Sequence, residues 1–221
     1  MTVSEALQQR KSVRAYLDQP VEPTKITAIL DAASHSPSGV NTQPWQVAVI
    51  SGETKKRLQT KLEDTFRSGD KGKAEYDYYP KEWAEPFTSR RKECGLLMYK
   101  TLNIERGDRK RQTNQWAANY RAFDAPVMLL FFMDKRMQAG SFMDYGMFLQ
   151  SVMLSAVEQG LATCPQASLA DYPEIIKQEL GYSNDNILLC GMALGYEDKN
   201  AVVNSYRTSR EDSDSFTQYF K

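Results

Sequence analysis

Phe142-Met143-Asp144-Tyr145-Gly146-Met147-Phe148-Leu149-Gln150-Ser151-Val152-Met153-Leu154-Ser155-Ala156-Val157-Glu158-Gln159 carries apolar side chains on most sides and is closed by Gly160. Glycine accepts the left-handed conformation at a helix end, and a helix apolar nearly all round belongs at the centre of a fold. The stretch is too short and too polar at its flanks to span a bilayer. Working outward, Pro126–Met133 and Ile187–Met192 read as buried strands, and so does the β-branched run Trp45–Ile50. Ser4–Lys11 is predicted helical, capped by Ser4 with Ala6 and Leu7 inward. Thr24–Ser34 follows with Ile26, Ile29, Leu30 and Ala33 on one face. Glu53–Phe66 carries a stripe of Leu58, Leu62 and Phe66, and Tyr172–Leu180 has Pro173 in its first turn. Few strands separated by long helices around one core helix make an α+β fold, a single domain over residues 1–221.

The stretch from about Arg67 to Gln115 breaks this pattern. Tyr76, Tyr78, Tyr79, Trp83 and Phe87 are mixed with charges without clean periodicity, and Leu96–Ile104 has helical character. It reads either as a partly helical cover over a site or as a solvated connector. The end of the chain, about 200–221, holds Phe216, Tyr219 and Phe220, spaced as in a tail that wraps a partner subunit or pairs with its sheet edge.

Composition narrows the function. The 28 basic and 28 acidic residues cancel, which argues against a nucleic-acid binder whose affinity would come from phosphate neutralisation. Cys94, Cys164 and Cys190 are scattered, with no CxxC pair and no metal-ligand spacing, as expected of a cytoplasmic protein without a metal site. Met1–Glu5 lacks an apolar core, so no secretory leader is expected, nor any membrane span. The single histidine, His35, lies at a helix end where it reads as a terminal residue near carbonyls and not as a catalytic base. Side chains poor in hydrolytic and metal chemistry favour a cofactor that carries the reaction.

Arg10-Lys11-Ser12-Val13-Arg14 supplies three cations and a hydroxyl within five residues. Guanidinium groups match phosphate oxygens in fork geometry, so the cluster reads as a phosphate site or else as a basic helix end. Ser36-Pro37-Ser38-Gly39-Val40-Asn41-Thr42-Gln43-Pro44-Trp45 is a polar turn leading into an apolar run. Gly160-Leu161-Ala162-Thr163-Cys164-Pro165-Gln166-Ala167-Ser168 follows the core helix, Asn119-Tyr120-Arg121 precedes a strand, and Tyr206-Arg207-Thr208-Ser209-Arg210 lies near the end. No Gly-x-Gly-x-x-Gly occurs, so no Rossmann site is expected.

In their chain order, from about Leu7 to Arg210, these segments resemble the nitroreductase family of flavoenzymes. Ala162 stands where many members have glycine. The resemblance implies a central, mostly antiparallel sheet flanked by helices, in an intertwined homodimer with non-covalent FMN at the interface. It implies that Arg10, Ser12 and Arg14, with Lys11 assisting, hold the FMN phosphate and ribityl chain, and that Arg210, or Arg207 in its stead, closes over the phosphate. Pro37, Ser38, Gly39 and Asn41 would pack against flavin bound mainly by the other subunit. Asn119, and more weakly Arg121, would reach the pyrimidine ring. Pro165, Gln166, Ala167 and Ser168 would line flavin N5 and O4, with the Ala167 N–H as donor because Pro165 has none. Cys164 reads as a packed, inert thiol. The implied activity is ping-pong reduction of a small aromatic acceptor, nitroaromatic or quinone-like, by NADH or NADPH. Reductive dehalogenation, ene reduction or flavin fragmentation on the same flavin site, non-catalytic flavin binding, and a cofactor-free helical interaction protein that would explain the aromatic tail are the alternatives.

Overall fold

The strand β2, Val127–Asp134, shows why this sequence makes one sheet with two cores. The structure, a computed structural model, describes residues 1–221. Successive strand side chains point to opposite faces. Leu129, Phe131 and Met133 therefore join one apolar cluster, and Met128, Leu130 and Phe132 join the other. All six are fully buried, which is why the stretch reads as an unbroken apolar run. Burying each such side chain stabilises by about 1.5–3 kcal/mol.

The elements run α1 (Val3–Gln9), α2 (Pro23–Ser34), β1 (Gln46–Ile50), α3 (Gly52–Arg67), α4 (Phe87–Thr101), α5 (Arg109–Ala117), β2, α6 (Ala139–Glu158), β3 (Ala162–Gln166), α7 (Pro173–Leu180) and β4 (Asn186–Gly195). The sheet is antiparallel throughout, in the order β1-β2-β4-β3. Ile29 and Ala33 of α2 and Tyr145, Phe148 and Val152 of α6 fill one face. Leu58 and Leu62 of α3 and Ile176 of α7 fill the other. The α+β architecture around a long helix is as expected.

Several local expectations are corrected. Thr2, not Ser4, caps α1: its hydroxyl accepts from the Glu5 N–H while the Glu5 carboxylate accepts from the Thr2 N–H, a reciprocal capping box. Leu7 points outward and Ala6 alone is buried. β1 is a half-exposed edge strand that starts at Gln46, because Trp45 stacks on Phe148 instead of joining the ladder. β3 had no clear strand signal, since Pro165 interrupts it; proline is tolerated there because β3 is an edge. The excursion holds two helices, α4 and α5, where only Leu96–Ile104 was expected. α6 is not buried all round in one chain: Met143 is 73% exposed and Met147 lies on the same open side. His35 caps α2 through its backbone N–H.

The root of the excursion is pinned to the sheet. The Lys73 N–H donates to the Asp171 carbonyl at 2.7 Å and the Tyr172 hydroxyl donates to the Asp70 carbonyl at 2.7 Å. Lys177, 4% exposed, donates to both oxygens of Glu75 at 2.7 Å, and Glu75 also accepts from Lys135 and from the Leu188 N–H. The Tyr76 hydroxyl donates to the Leu189 carbonyl. Gly72 makes the approach possible: its φ is +67°, and a Cβ there would stand 2.2 Å from the Asp171 carbonyl oxygen. Gly72→Ala is therefore expected to cost about 1–3 kcal/mol and to open Lys71 and Lys73 to trypsin. A thermal melt and limited proteolysis would check this, and an unchanged cleavage pattern would refute the pinning.

Candidate active site

The basic segment is an extended strip laid along the start of β3. Helix α1 ends at Arg10, Ser12 bridges to Thr163, and the Val13 N–H donates to the Thr163 carbonyl at 3.0 Å. From the other side Asn204, buried at the end of a short 3₁₀ turn, Val202–Asn204, accepts from the Arg14 N–H at 2.8 Å and donates to the Ala15 and Asp198 carbonyls, both at 2.9 Å. These bonds fix the backbone of residues 12–15, so the side chains of Arg10, Lys11, Ser12 and Arg14 open into one cleft of about 510 Å³.

Arg207 and Arg210 line the same cleft from the C-terminal segment. None of these four guanidiniums forms an ion pair, whereas Lys11 is neutralised by Glu197 at 2.7 Å. Burial, and then the charges of Arg210 and Arg207, hold Arg10 below its ordinary pKa. Like charges gathered in a partly buried cleft repel unless an anion joins them. Arg14 donates to the Tyr206 hydroxyl at 3.1 Å, and Arg210 donates to Thr208 Oγ1 at 2.8 Å, so each is held in place by a neutral group. The donor set, with the Ser12 hydroxyl, fits a phosphate monoester.

Further along β3, Pro165, Gln166, Ala167, Ser168 and Asn119 line a second cleft of about 560 Å³. Tyr76, Tyr78 and Tyr79 form its opposite wall. Tyr78 packs on Tyr79 with ring centroids 4.7 Å apart, and Tyr79 on Trp83 at 5.7 Å. Gln166 donates to the Asn119 carbonyl at 2.7 Å, which fixes its amide and leaves Oε1 an acceptor. That Oε1 and the Ser168 hydroxyl are buried without any hydrogen-bond partner in the chain. Such groups ordinarily have one, so they fit a cleft completed by a polar ligand. Ala167 opens a short 3₁₀ turn, Ala167–Asp171, whose first N–H groups are not used inside the turn.

Thr163 and Ala167 are four residues apart, a rise of about 13 Å along a strand. The two clefts thus lie along the same edge strand. The remaining expected residues lie elsewhere. Pro37, Ser38, Gly39 and Asn41 line neither cleft of their own chain. Their turn is held by Asp144, which accepts from the Gly39 N–H at 3.2 Å, and by Ser38, which accepts from the Gln43 N–H at 2.9 Å. It carries Val40 at φ 44° and 97% exposed, a strained conformation for a β-branched residue. Arg121 turns away to Glu63 and Asp124, at 2.7 and 2.9 Å, and does not reach the second cleft. Cys164 is buried and its thiol is raised by that burial, as suits a packed group. Asn204 and Gln150 were missed, because a lone Asn or Gln has no spacing signal, and Tyr206 and Thr208 stood in the quoted C-terminal segment without a role.

An antiparallel sheet with a cationic cleft and an aromatic cleft along one edge strand suits a phosphorylated, ring-bearing ligand. The model of the nitroreductase family matches residues 7–196, and the chain belongs to that family. It is 37% identical to the 4-nitrobenzoate reductase of Pseudomonas putida, across 95% of this chain and 92% of that protein. It is 34% identical to the chloronitrobenzene nitroreductase of Comamonas testosteroni, across 98% and 96%. Among solved structures, the FMN and NADPH-dependent nitroreductase NfnB of Sphigopyxis sp. strain HMH superposes with a TM-score of 0.97 at 39% identity, covering all of both chains. The FMN-dependent nitroreductase NfnB of Mycobacterium smegmatis, in complex with NADPH, superposes at 0.93 with 28% identity, again covering all of both chains.

Proposed function

We propose that the protein is an FMN-dependent oxidoreductase that uses NADH or NADPH to reduce nitroaromatic or quinone-like acceptors in a ping-pong cycle. The carrying observation is the cleft of Arg10, Arg14, Arg207 and Arg210, cations without a carboxylate partner, set along the same edge strand as a cleft with orphaned polar atoms. FMN, when bound, supplies acceptance of a hydride from the nicotinamide and its delivery to the acceptor. Arg10, Ser12, Arg14 and Arg210 bind the phosphate, with Lys11 at the margin because Glu197 already neutralises it. Asn119, Pro165, Gln166, Ala167 and Ser168 orient the ring. With FMN bound, the Ala167 N–H would supply a fixed dipole to the flavin ring, and a preorganised donor of this kind costs no rearrangement. Tyr78 and Tyr79, root of the cover spanning about 67–115, wall the cleft and stack on the acceptor.

The same reading makes the protein a homodimer with its FMN sites at the interface. Its support is the open apolar side of α6, the strained turn at Val40, which would reach the partner's flavin through Pro37, Ser38, Gly39 and Asn41, and a tail with Phe220 90% exposed. The unpaired cysteines suit a reducing, cytoplasmic setting.

The test is the visible spectrum of FMN-loaded protein after gel filtration, followed under anaerobic NADH and then NADPH. Flavin bands that survive filtration, bleach with a nicotinamide and return on adding nitrobenzene are expected. Absence of any retained flavin would overturn the reading.

A further inference from the structure

The aromatic cleft carries carboxylates and no cation. Asp77 and Asp171 are among its lining residues, and no lysine, arginine or histidine is. Asp171 is held in place by the Tyr120 hydroxyl, which donates to its Oδ2 at 3.0 Å. Asp77 lies between Tyr76 and Tyr78 on the exposed rim and forms no ion pair or side-chain hydrogen bond. The neighbouring cations are engaged elsewhere or face outward. Lys135 and Lys177 both bind Glu75, Arg91 lies over the Trp83 ring at 5.0 Å, and Lys73 is exposed outside the lining. The charge of the molecule is thus divided: the phosphate end of the site is cationic and the ring end anionic.

We propose that this cleft selects uncharged aromatic acceptors and rejects those that carry a carboxylate. The proposal rests on the reading of this cleft as the acceptor site. It separates this chain from the Pseudomonas putida relative, named for 4-nitrobenzoate. A benzoate stacked on Tyr78 or Tyr79 brings a third negative charge beside Asp77 and Asp171. No fixed cation compensates it, and like charges in a half-enclosed cleft repel more strongly than in water. A benzamide has the same shape and no charge. The ring of a reduced nicotinamide also bears an uncharged carboxamide, so one cleft serves donor and acceptor in turn.

The experiment compares 4-nitrobenzamide with 4-nitrobenzoate, and the unreactive pair benzamide and benzoate, on FMN-loaded protein and on its Asp77→Asn and Asp171→Asn variants. Asparagine at 171 keeps an acceptor for Tyr120, and thermal melts report whether each variant folds. The ratio of kcat/KM values, amide over acid, is expected to fall about three- to tenfold in Asp77→Asn, and in the parent as salt rises from low ionic strength towards 0.5 M. Taking the ratio between variants cancels the intrinsic reducibility of the two acceptors. Dissociation constants for benzamide and benzoate, read by quenching of intrinsic fluorescence, are expected to shift in the same sense. If the ratios of rates and of affinities respond to neither substitution nor salt, the charge rule is wrong even though nitroaromatics are reduced. If benzamide outbinds benzoate in a salt-sensitive way while no nitro compound is reduced, the charge rule stands and the proposed activity falls.

Discussion

Replacing Arg10 and Arg14 together by alanine is expected to weaken FMN binding by about 10²–10⁴-fold while the chain still folds. Each charge-assisted hydrogen bond to a phosphate contributes about 1.5–3 kcal/mol, and each 1.4 kcal/mol is about tenfold in affinity. Both side chains lie on a backbone fixed by Asn204 and Thr163, so removing them leaves the strip in place. Riboflavin isolates the cause. It lacks the phosphate but keeps the ribityl chain, so the loss for it should be far smaller than for FMN. Equal loss for FMN and riboflavin would show a damaged ring cleft, and no loss for FMN would remove the phosphate assignment. Arg10→Ala alone adds a second reading of the same physics. Burial and the charges of Arg210 and Arg207 disfavour the charged guanidinium in the folded chain. Without FMN, the variant should therefore melt slightly higher than the parent; with FMN, it should gain less from the ligand.

The sequence carried the fold where burial imposes a period. β2 reads as apolar throughout because both its faces meet a core, and α2 shows Ile29 and Ala33 on one stripe because only that stripe is covered. It was silent where pairing, not side-chain pattern, makes the element. β3 is held by backbone bonds to β4 and contains a proline, so nothing in its composition marks it. α4 has no fully buried residue, and its helical character leaves little periodic trace. Arg10, Ser12, Arg14 and Arg210 were legible as residue types in order, and the chain brings them to one cleft. What positions them was not: the Asn204 side chain makes two backbone contacts to the strip, almost two hundred residues away in sequence, and no local spacing encodes that. Arg121 illustrates the opposite error, a cation near a motif that is drawn off by Glu63 and Asp124.

Glu75→Ala is expected to destabilise the chain by about 3–5 kcal/mol. Lys177 is buried, and its ammonium donates to both Glu75 oxygens; alanine leaves that charge without a counter-ion and strips the Leu188 N–H of its acceptor. The penalty comes from the orphaned charge more than from the lost attraction. Glu75→Ala with Lys177→Met should therefore recover most of the stability, since replacing both partners of a buried pair by apolar groups is often nearly neutral. Urea titrations of the parent, the single variant and the double variant separate these terms. A Glu75→Ala variant within 1 kcal/mol of the parent would dismiss the argument. The pair also sets an acid limit. Burial alone would raise the Glu75 carboxyl, but the hydrogen bonds from Lys177, the Leu188 N–H and Lys135 outweigh it and bring the group below its ordinary 4.5. The unfolded chain then binds the extra proton first, so this contribution is complete above about pH 4.5 and is lost as pH falls through the lower folded value. Because Tyr76 and Asp77 follow Glu75 directly, release of this anchor should disturb the aromatic wall before the cationic cleft. At temperatures where Glu75→Ala is still folded, KM for a nitroaromatic should rise while FMN is retained. The same staple thus supports both the stability of the excursion and the shape of the aromatic cleft.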